Sequence, residues 1–153
     1  FVGLGRWRFR KITCGDGDLV QVDWLISSGM LISAEVLRDV GLMHEPLFID
    51  EVDTEWCLRA RARGYRCIGA CRALMAHTLG SDTMKVRFNR NRHVLARMPH
   101  VPSTWWMPNF KRLAAQFAFF SLAIPPRARN FRMMLRGVLD GLLGRSGPYG
   151  GTR

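Results

Sequence analysis

Short apolar blocks separated by polar turns run through the first part of the chain. Residues 19–33 are apolar and β-rich, with an interruption at residues 27–29, so they predict two short strands or one bent strand. Ser33 and Gly41 bracket a segment with one apolar helical face, which predicts a short capped helix. Residues 47–49 then predict a short buried strand.

The segment from Asp53 to Gly64 carries a helical pattern. Its apolar side chains recur at helical spacing, three arginines fall in its C-terminal half, and Gly64 suits the end of a helix. Residues 65–80 predict one or two further strands. This alternation of helix and strand predicts an α/β fold.

Residues 84–147 differ in pattern and predict a basic region of amphipathic helices, followed by a disordered end at residues 148–153. The longest apolar run, residues 113–124, is shorter than the roughly 20 residues that a spanning helix needs, so no transmembrane helix is expected. A second amphipathic helix is predicted over residues 129–143. The apolar faces are expected either to lie on a membrane surface or to pack on the rest of the protein or a partner subunit.

The positive charge of the chain is concentrated in this tail. Residues 1–83 hold 10 Lys and Arg against 11 Asp and Glu, whereas residues 84–153 hold 13 Lys and Arg against one acidic residue. Such asymmetry indicates an anionic partner, either nucleic acid or a membrane surface. Trp105 and Trp106 would suit base stacking or the headgroup level of a membrane. The arginines that would contact nucleic-acid phosphates are Arg87, Arg90, Arg92 and Arg97.

The chain has four cysteines, of which Cys67 and Cys71 form a C-x3-C pattern near His77. A zinc site is conceivable here, but no second close pair of cysteines completes it. Buried or half-buried thiols in a reducing compartment are therefore expected.

Four acidic residues fall within six positions at the start of the predicted helix: Asp50, Glu51, Asp53 and Glu55. Like charges this close repel one another unless a cation, burial or a reaction uses them. Asp53 either caps the helix or acts as a general base, an ionised carboxylate that takes a proton from a hydroxyl nucleophile. His77, near the end of a predicted strand, is either structural or a ligand of a divalent ion.

Three stretches together resemble the C-terminal half of the catalytic domain of family 2 glycosyltransferases, and bacterial rhamnosyltransferases in particular. They are VDWLISSGMLIS, LFIDEVDTEWCLRARARGY and MAHTLG, in this order and spacing, and the tail MLRGVLDGLLGRSG adds a looser likeness. The resemblance implies that residues 1–83 are the C-terminal, acceptor-side portion of a GT-A-type nucleotide-sugar transferase domain, followed by a helical basic tail. The nucleotide-binding half, with its metal-binding D-x-D motif, would lie upstream.

The resemblance also implies roles for individual residues. The family's base, an Asp at the start of a helix, corresponds to Asp53, and a histidine that is a metal ligand in related transferases corresponds to His77. Ser28 and Gly29 correspond to a small-residue turn that lets the backbone approach the donor sugar and acceptor. For the neighbouring acids, substrate binding, tuning of the base and simple solvation stay open; those assigned to substrate are Asp50 and Glu55.

The activity implied by the resemblance is inverting transfer from a nucleotide-diphosphate sugar, dTDP-rhamnose, to a saccharide or lipid-linked acceptor in polysaccharide biosynthesis of the cell envelope. Mg²⁺ or Mn²⁺ is the implied cofactor. The enzyme is expected in the cytoplasm, peripherally on the inner face of the cell membrane, and without a nucleic-acid partner. The alternative is a non-catalytic basic module that binds nucleic acid or a membrane surface.

Overall fold

Short strands and helices are mixed along the chain. The computed structural model describes residues 2–5, 8–48, 50–76, 88–145 and 147. The strands of these ranges are β1 (Val2–Leu4), β2 (Phe9–Lys11), β3 (Leu19–Val22) and β4 (Cys67–Ala70). The α-helices are α1 (Ala34–Val40), α2 (Val52–Ala62), α3 (Phe88–Leu95), α4 (Trp106–Leu122) and α5 (Arg127–Leu142), with 3-10 helices at Glu45–Leu47 and Ser103–Trp105.

The described strands form two antiparallel pairs. β1 pairs with β2, and β3 pairs with β4 so that Val22 lies opposite Cys67 and Leu19 opposite Ala70. The α/β prediction is therefore confirmed in its general sense of mixed helix and strand. The GT-A arrangement that the resemblance implies stays a prediction.

Helix α1 forms as predicted because both of its ends are capped. The Oγ of Ser33 accepts a hydrogen bond from the amide of Val36 at 3.2 Å, and Gly41 ends the helix with φ 89°. The indole Nε1 of Trp56 donates to the carbonyl of Gly41 at 2.8 Å and ties α1 to α2. Between these elements lies a core of buried residues: Val22, Val40, Trp56, Cys57, Ala60 and Cys67.

The predicted strand at residues 47–49 is wrong for Leu47 and Phe48. Glu45–Leu47 is instead a 3-10 helix, which Pro46 favours because its fixed φ suits the first turn of a helix. Leu47 is fully buried, but Phe48 is 55% exposed and has φ 64°. Of this apolar triplet, the side chain of Leu47 is therefore buried and that of Phe48 is exposed. Ile49 lies outside the described residues.

The predicted basic helices form, and α5 packs on α3 through a glycine. A Cβ on Gly141 would lie 2.6 Å from the Cβ of His93 and 2.8 Å from the carbonyl oxygen of Arg90, so only glycine allows this approach. Arg97 adds a hydrogen bond from Nη1 to the carbonyl of Leu142 at 2.8 Å. In the described ranges, no helix combines the length and apolar content that crossing a membrane requires.

The expectation that both tryptophans meet a membrane or stacked bases is wrong for Trp105. Its side chain is only 1% exposed, and its ring lies 5.2 Å from those of Phe9 and Trp24, measured between centroids. Aromatic burial of this size outweighs any gain from an exposed position. Trp106, by contrast, is 52% exposed.

The expectation of free thiols is wrong for Cys14 and Cys71, which form a disulfide with Cα atoms 5.8 Å apart. The amide of Cys71 donates to the carbonyl of Asp18 at 2.7 Å, which holds the loop after β2 beside the end of β4 and brings the two cysteines together. Cys57 and Cys67 are buried and free, as expected. The hydrogen bond with Cys67, together with burial, raises the pKa of the Cys57 thiol, so this thiol stays protonated.

Candidate active site

Asp53 lies in the first turn of α2 with its carboxylate held by two backbone amides. Its Oδ1 accepts from the amide of Thr54 at 2.8 Å, and its Oδ2 accepts from the amide of Ser27 at 2.9 Å. Asp53 is half-buried, and it is not the residue that precedes the helix; Glu51 takes that place. The bond to Ser27 spans 26 positions of sequence and ties the start of α2 to the turn after β3.

That turn is the interruption predicted within residues 19–33. The amide of Met30 donates to the carbonyl of Ser27 at 3.1 Å, and Gly29 adopts the left-handed conformation with φ 78°. Ser28 and Gly29 line a cavity of about 740 Å³ whose other lining side chains are mostly apolar, among them Leu25, Met30, Ile68, Leu74 and Met75. The bond from the amide of Ser27 therefore ties Asp53 to the turn whose next residues, Ser28 and Gly29, line the cavity, although Asp53 itself is not a lining residue.

Glu55 faces a different cleft. Its carboxylate accepts from Nε and Nη2 of Arg59 at 2.7 and 3.0 Å, and its Oε1 lies 3.0 Å from Nε2 of His100. With His44, these residues line a cleft of about 560 Å³. Because Glu55 is 1% exposed and follows Asp53 by two positions in a helix, it does not share the cavity of Gly29. Its substrate role stays a prediction, attached to this separate cleft.

His100 is a neighbour of Glu55 that the sequence did not indicate. Burial lowers the pKa of His100 below its ordinary value, and the Glu55 carboxylate opposes this shift. Its Nε2 is buried without a well-aligned hydrogen bond, although it lies within ion-pair distance of Glu55. No spacing rule connects positions that lie 45 residues apart, so only the fold reveals this contact.

Asp50 and Glu51 are both buried, at 6% and 8% exposure. The backbone carbonyl of Asp50 accepts from Nδ2 of Asn91 at 2.8 Å, and the carboxylate of Glu51 pairs with Nη2 of Arg92 at 2.7 Å. The arginine that offsets Glu51 therefore comes from α3 and not from α2. A substrate role for Asp50 stays a prediction.

Three arginines at the C-terminal end of α2, of which Arg63 lies just beyond the helix, divide among three partners. Arg59 faces the acidic cluster through Glu55, whereas the other two bind acids elsewhere, with Arg61 2.5 Å from Asp23 and Arg63 3.9 Å from Asp39. Thus only one of these arginines offsets the acidic cluster itself.

The metal prediction lies largely beyond what the structure describes. His77 is outside the described residues, so its place relative to Asp53 stays a prediction. Within the described part of the chain, no group of three or more His, Cys, Asp or Glu side chains is arranged to hold a metal ion. These residues alone do not form a site for a divalent ion.

The arginines that a nucleic-acid interface would use are engaged within the protein where they are described. Arg90 donates to the side chain of Asn91, Arg92 pairs with Glu51, and Arg97 donates to backbone carbonyls of α5. Arg87 lies outside the described residues. Trp105 is buried as well, whereas Trp106 is exposed, so the absence of a nucleic-acid partner stays a prediction.

Comparison with known proteins gives one curated relative at a significant level. The chain is 32% identical over 142 residues to the dTDP-rhamnosyl transferase RfbF of Shigella flexneri, and the match covers 84% of this chain. The chain spans 47% of the length of that relative. No protein-family model matches, and no solved structure matches. The chain is thus similar to part of a rhamnosyltransferase, which supports the resemblance in its coarser form.

Proposed function

We propose that this chain is the acceptor-side portion of an inverting, family 2-type glycosyltransferase that transfers rhamnose from dTDP-rhamnose. The observation that carries the proposal is the carboxylate of Asp53, which the amides of Thr54 and Ser27 orient at the turn whose next residues, Ser28 and Gly29, line a cavity. The partial likeness to a dTDP-rhamnosyl transferase supports the donor class.

In the proposed reaction, Asp53 takes the proton from an acceptor hydroxyl as its oxygen attacks the anomeric carbon of the donor. The new carbon–oxygen bond forms on one face while the bond to the diphosphate breaks on the other, so the configuration inverts and the nucleoside diphosphate leaves. Each carboxylate oxygen has two lone pairs, so the two amide bonds leave Asp53 able to accept this proton. The amides fix the direction in which the base points.

The cavity beside Gly29 suits a deoxy sugar on chemical grounds. Rhamnose carries a methyl group where most hexoses carry a hydroxymethyl group, and the lining side chains of this cavity are predominantly apolar. A divalent ion, Mg²⁺ or Mn²⁺, would neutralise charge on the leaving diphosphate when bound. We propose His77 as one of its ligands.

Replacing Asp53 by Asn in the complete transferase tests the proposal. The variant keeps the side-chain shape and removes the basicity, so release of dTDP in the presence of acceptor should fall by roughly 10²-fold or more, as expected for loss of a general base. Donor binding, measured by calorimetry, should change little. Turnover near that of the unmodified enzyme would reject Asp53 as the base.

For the tail we propose docking on the anionic inner surface of the cell membrane, where a lipid-linked acceptor would be confined. Four residues of the apolar stripe of α5, Phe131, Leu135, Leu139 and Leu142, are between 39% and 50% exposed, whereas Met134 is fully buried and the ring of Phe131 also packs on that of Phe117. Along one edge of this stripe run three exposed arginines: Arg129, Arg132 and Arg136. An exposed apolar stripe with a basic edge matches an interfacial helix, and the basic edge disfavours pairing with a second copy of itself.

A further inference from the structure

The stretch that leads into α2 has an unusual backbone. Phe48 and Glu51 both adopt positive φ, at 64° and 63°, although neither is a glycine. A bulky aromatic residue rarely adopts this conformation, and it persists only where surrounding contacts hold it. Because Glu51 is the residue immediately before α2, its backbone sets the direction in which the helix, and with it Asp53, begins.

Two consecutive residues of α3 hold this stretch. The Nδ2 of Asn91 donates to the carbonyl oxygens of both Leu47 and Asp50, at 2.6 and 2.8 Å. The asparagine side chain has a donor end, the NH₂ group, and an acceptor end, the carbonyl oxygen. Because both partners here are carbonyl oxygens, the NH₂ group must face them, and this fixes the orientation of the side-chain amide. Asn91 is 1% exposed, and its Oδ1 accepts from Nε of Arg90 at 3.0 Å, which satisfies the other end.

Arg92 supplies the second contact. Its Nη2 lies 2.7 Å from Oε1 of Glu51, with both side chains less than a tenth exposed, and its Nη1 donates to Oδ1 of Asn109 at 3.2 Å. A buried ion pair of this kind is sensitive to loss of either partner, because the remaining charge would be unpaired. Asn91 therefore binds two backbone carbonyls ahead of Asp53, and Arg92 binds the side chain of Glu51.

We infer that Asn91 and Arg92 are positioning residues for Asp53: by holding Leu47, Asp50 and Glu51, they fix where α2 starts and aim the Asp53 carboxylate at the amide of Ser27. This role rests on the proposed function of Asp53 as the base. It also assigns the basic tail a part in the site, since α3 carries both residues and α5 packs against α3 through Gly141.

Hydrogen exchange at the amide of Ser27, which donates to Asp53, measures the positioning directly in the purified chain. Asn91→Asp keeps the shape but removes both donors. Leu95→Ala is the matched control, because it removes buried apolar packing between the same helix and Leu58 of α2 while the hydrogen bonds of Asn91 stay in place. At equal distance below the unfolding temperature of each variant, Ser27 should exchange at least roughly 10-fold faster in Asn91→Asp than in Leu95→Ala. Equal exchange in the two variants would overturn the inference.

A rescue variant covers the case in which Asn91→Asp folds poorly. Phe48 is exposed, so Phe48→Gly removes little packing and lets the backbone adopt positive φ without support. Adding Phe48→Gly to Asn91→Asp should slow the exchange of Ser27 again, whereas a double variant no better protected than Asn91→Asp alone would count against the positioning role.

In the complete transferase, Asn91→Asp should lower kcat with little change in the donor KM, because the residue acts through the base and not through donor binding. A matching rise in KM with unchanged kcat would contradict this. If the unmodified enzyme transfers no sugar, the proposed function fails, and the exchange of Ser27 still decides whether Asn91 positions Asp53.

Discussion

Two substitutions of Gly29 distinguish the effect of its backbone conformation on stability from the effect of filling the cavity on activity. The residue has φ 78°, and a Cβ added there would lie 3.3 Å from Cε and 3.4 Å from Sδ of Met75, inside the cavity that both residues line. Alanine disfavours this backbone conformation, asparagine tolerates it, and both place a side chain in the cavity. The two variants should therefore differ in stability and agree in their effect on activity.

The stability change follows from the backbone. A left-handed conformation costs an L-residue other than glycine roughly 1–2 kcal/mol. The contact with Met75 adds little, because the atoms it meets are the far end of a flexible side chain. Since about 1 kcal/mol shifts Tm by roughly 2–4 °C in a domain of this size, Gly29→Ala should lower Tm by roughly 2–8 °C and Gly29→Asn by less than half of that.

Thermal unfolding of the two variants beside Gly17→Ala tests this reasoning. Gly17 has no positive φ, and a Cβ there would meet only the carbonyl oxygen of Leu19 at 3.8 Å, so this control should unfold like the unmodified protein. In the complete transferase, both Gly29 variants should raise the donor KM because the cavity is narrowed. A Gly29→Ala protein as stable as Gly17→Ala would refute the left-handed turn, and an unchanged KM in Gly29→Asn would refute close approach of substrate.

Three further outcomes are expected. His77→Ala in the complete transferase should shift the Mg²⁺ or Mn²⁺ dependence of activity to higher concentration, and superimposable titrations would exclude His77 as a ligand. Replacing Leu135 and Leu139 by Ser should abolish co-sedimentation with anionic vesicles while leaving the helix folded; equal binding of the unmodified chain to neutral vesicles would contradict the interfacial role of α5. Cys14→Ser should destabilise the chain by up to about 4 kcal/mol through loss of loop closure, and an unfolding midpoint insensitive to reductant would argue against the disulfide.

Local signals predicted the elements whose causes are local. Helix α1 was predictable because its cap residues, Ser33 and Gly41, act within one turn of it, and the end of α2 was predictable from Gly64 for the same reason. The helices of the tail were predictable from the periodicity of their apolar residues. Their packing was not, because α5 packs a glycine against α3 and leaves much of its apolar stripe partly exposed.

The errors arose where a distant contact overrides a local pattern. The apolar triplet at residues 47–49 predicts a strand. In the structure, Pro46 favours a 3-10 helix that includes Leu47, and the side-chain amide of Asn91 binds the carbonyl of Leu47. Cys14 and Cys71 show no pairing signal in their spacing, because the pairing of β3 with β4 brings their loops together.

The acidic cluster at the start of α2 also depends on contacts that the local sequence does not show. From sequence, four neighbouring carboxylates form one group of like charge, but the structure gives them different surroundings. Glu55 is neutralised by Arg59 within its own helix, Glu51 by Arg92 from the tail, and Asp53 is held by the backbone amides of Thr54 and Ser27. Only Asp53 combines partial exposure with a neutral hydrogen-bonding environment, and that difference singles it out as the candidate base.

The basic tail and the site are parts of one packed unit in the described residues. Leu58 of α2 shares a buried cluster with Leu95 and Trp105 of the tail, and the division of the chain into regions at residues 83 and 84 stays a prediction. A separate membrane-binding module would pack on the site weakly, if at all, whereas this tail supplies Asn91 and Arg92 to the backbone before Asp53. Docking of α5 on a membrane would therefore act on the same group of helices that orients Asp53. Truncation of the chain before α3 should disturb the position of Asp53 and also abolish membrane binding.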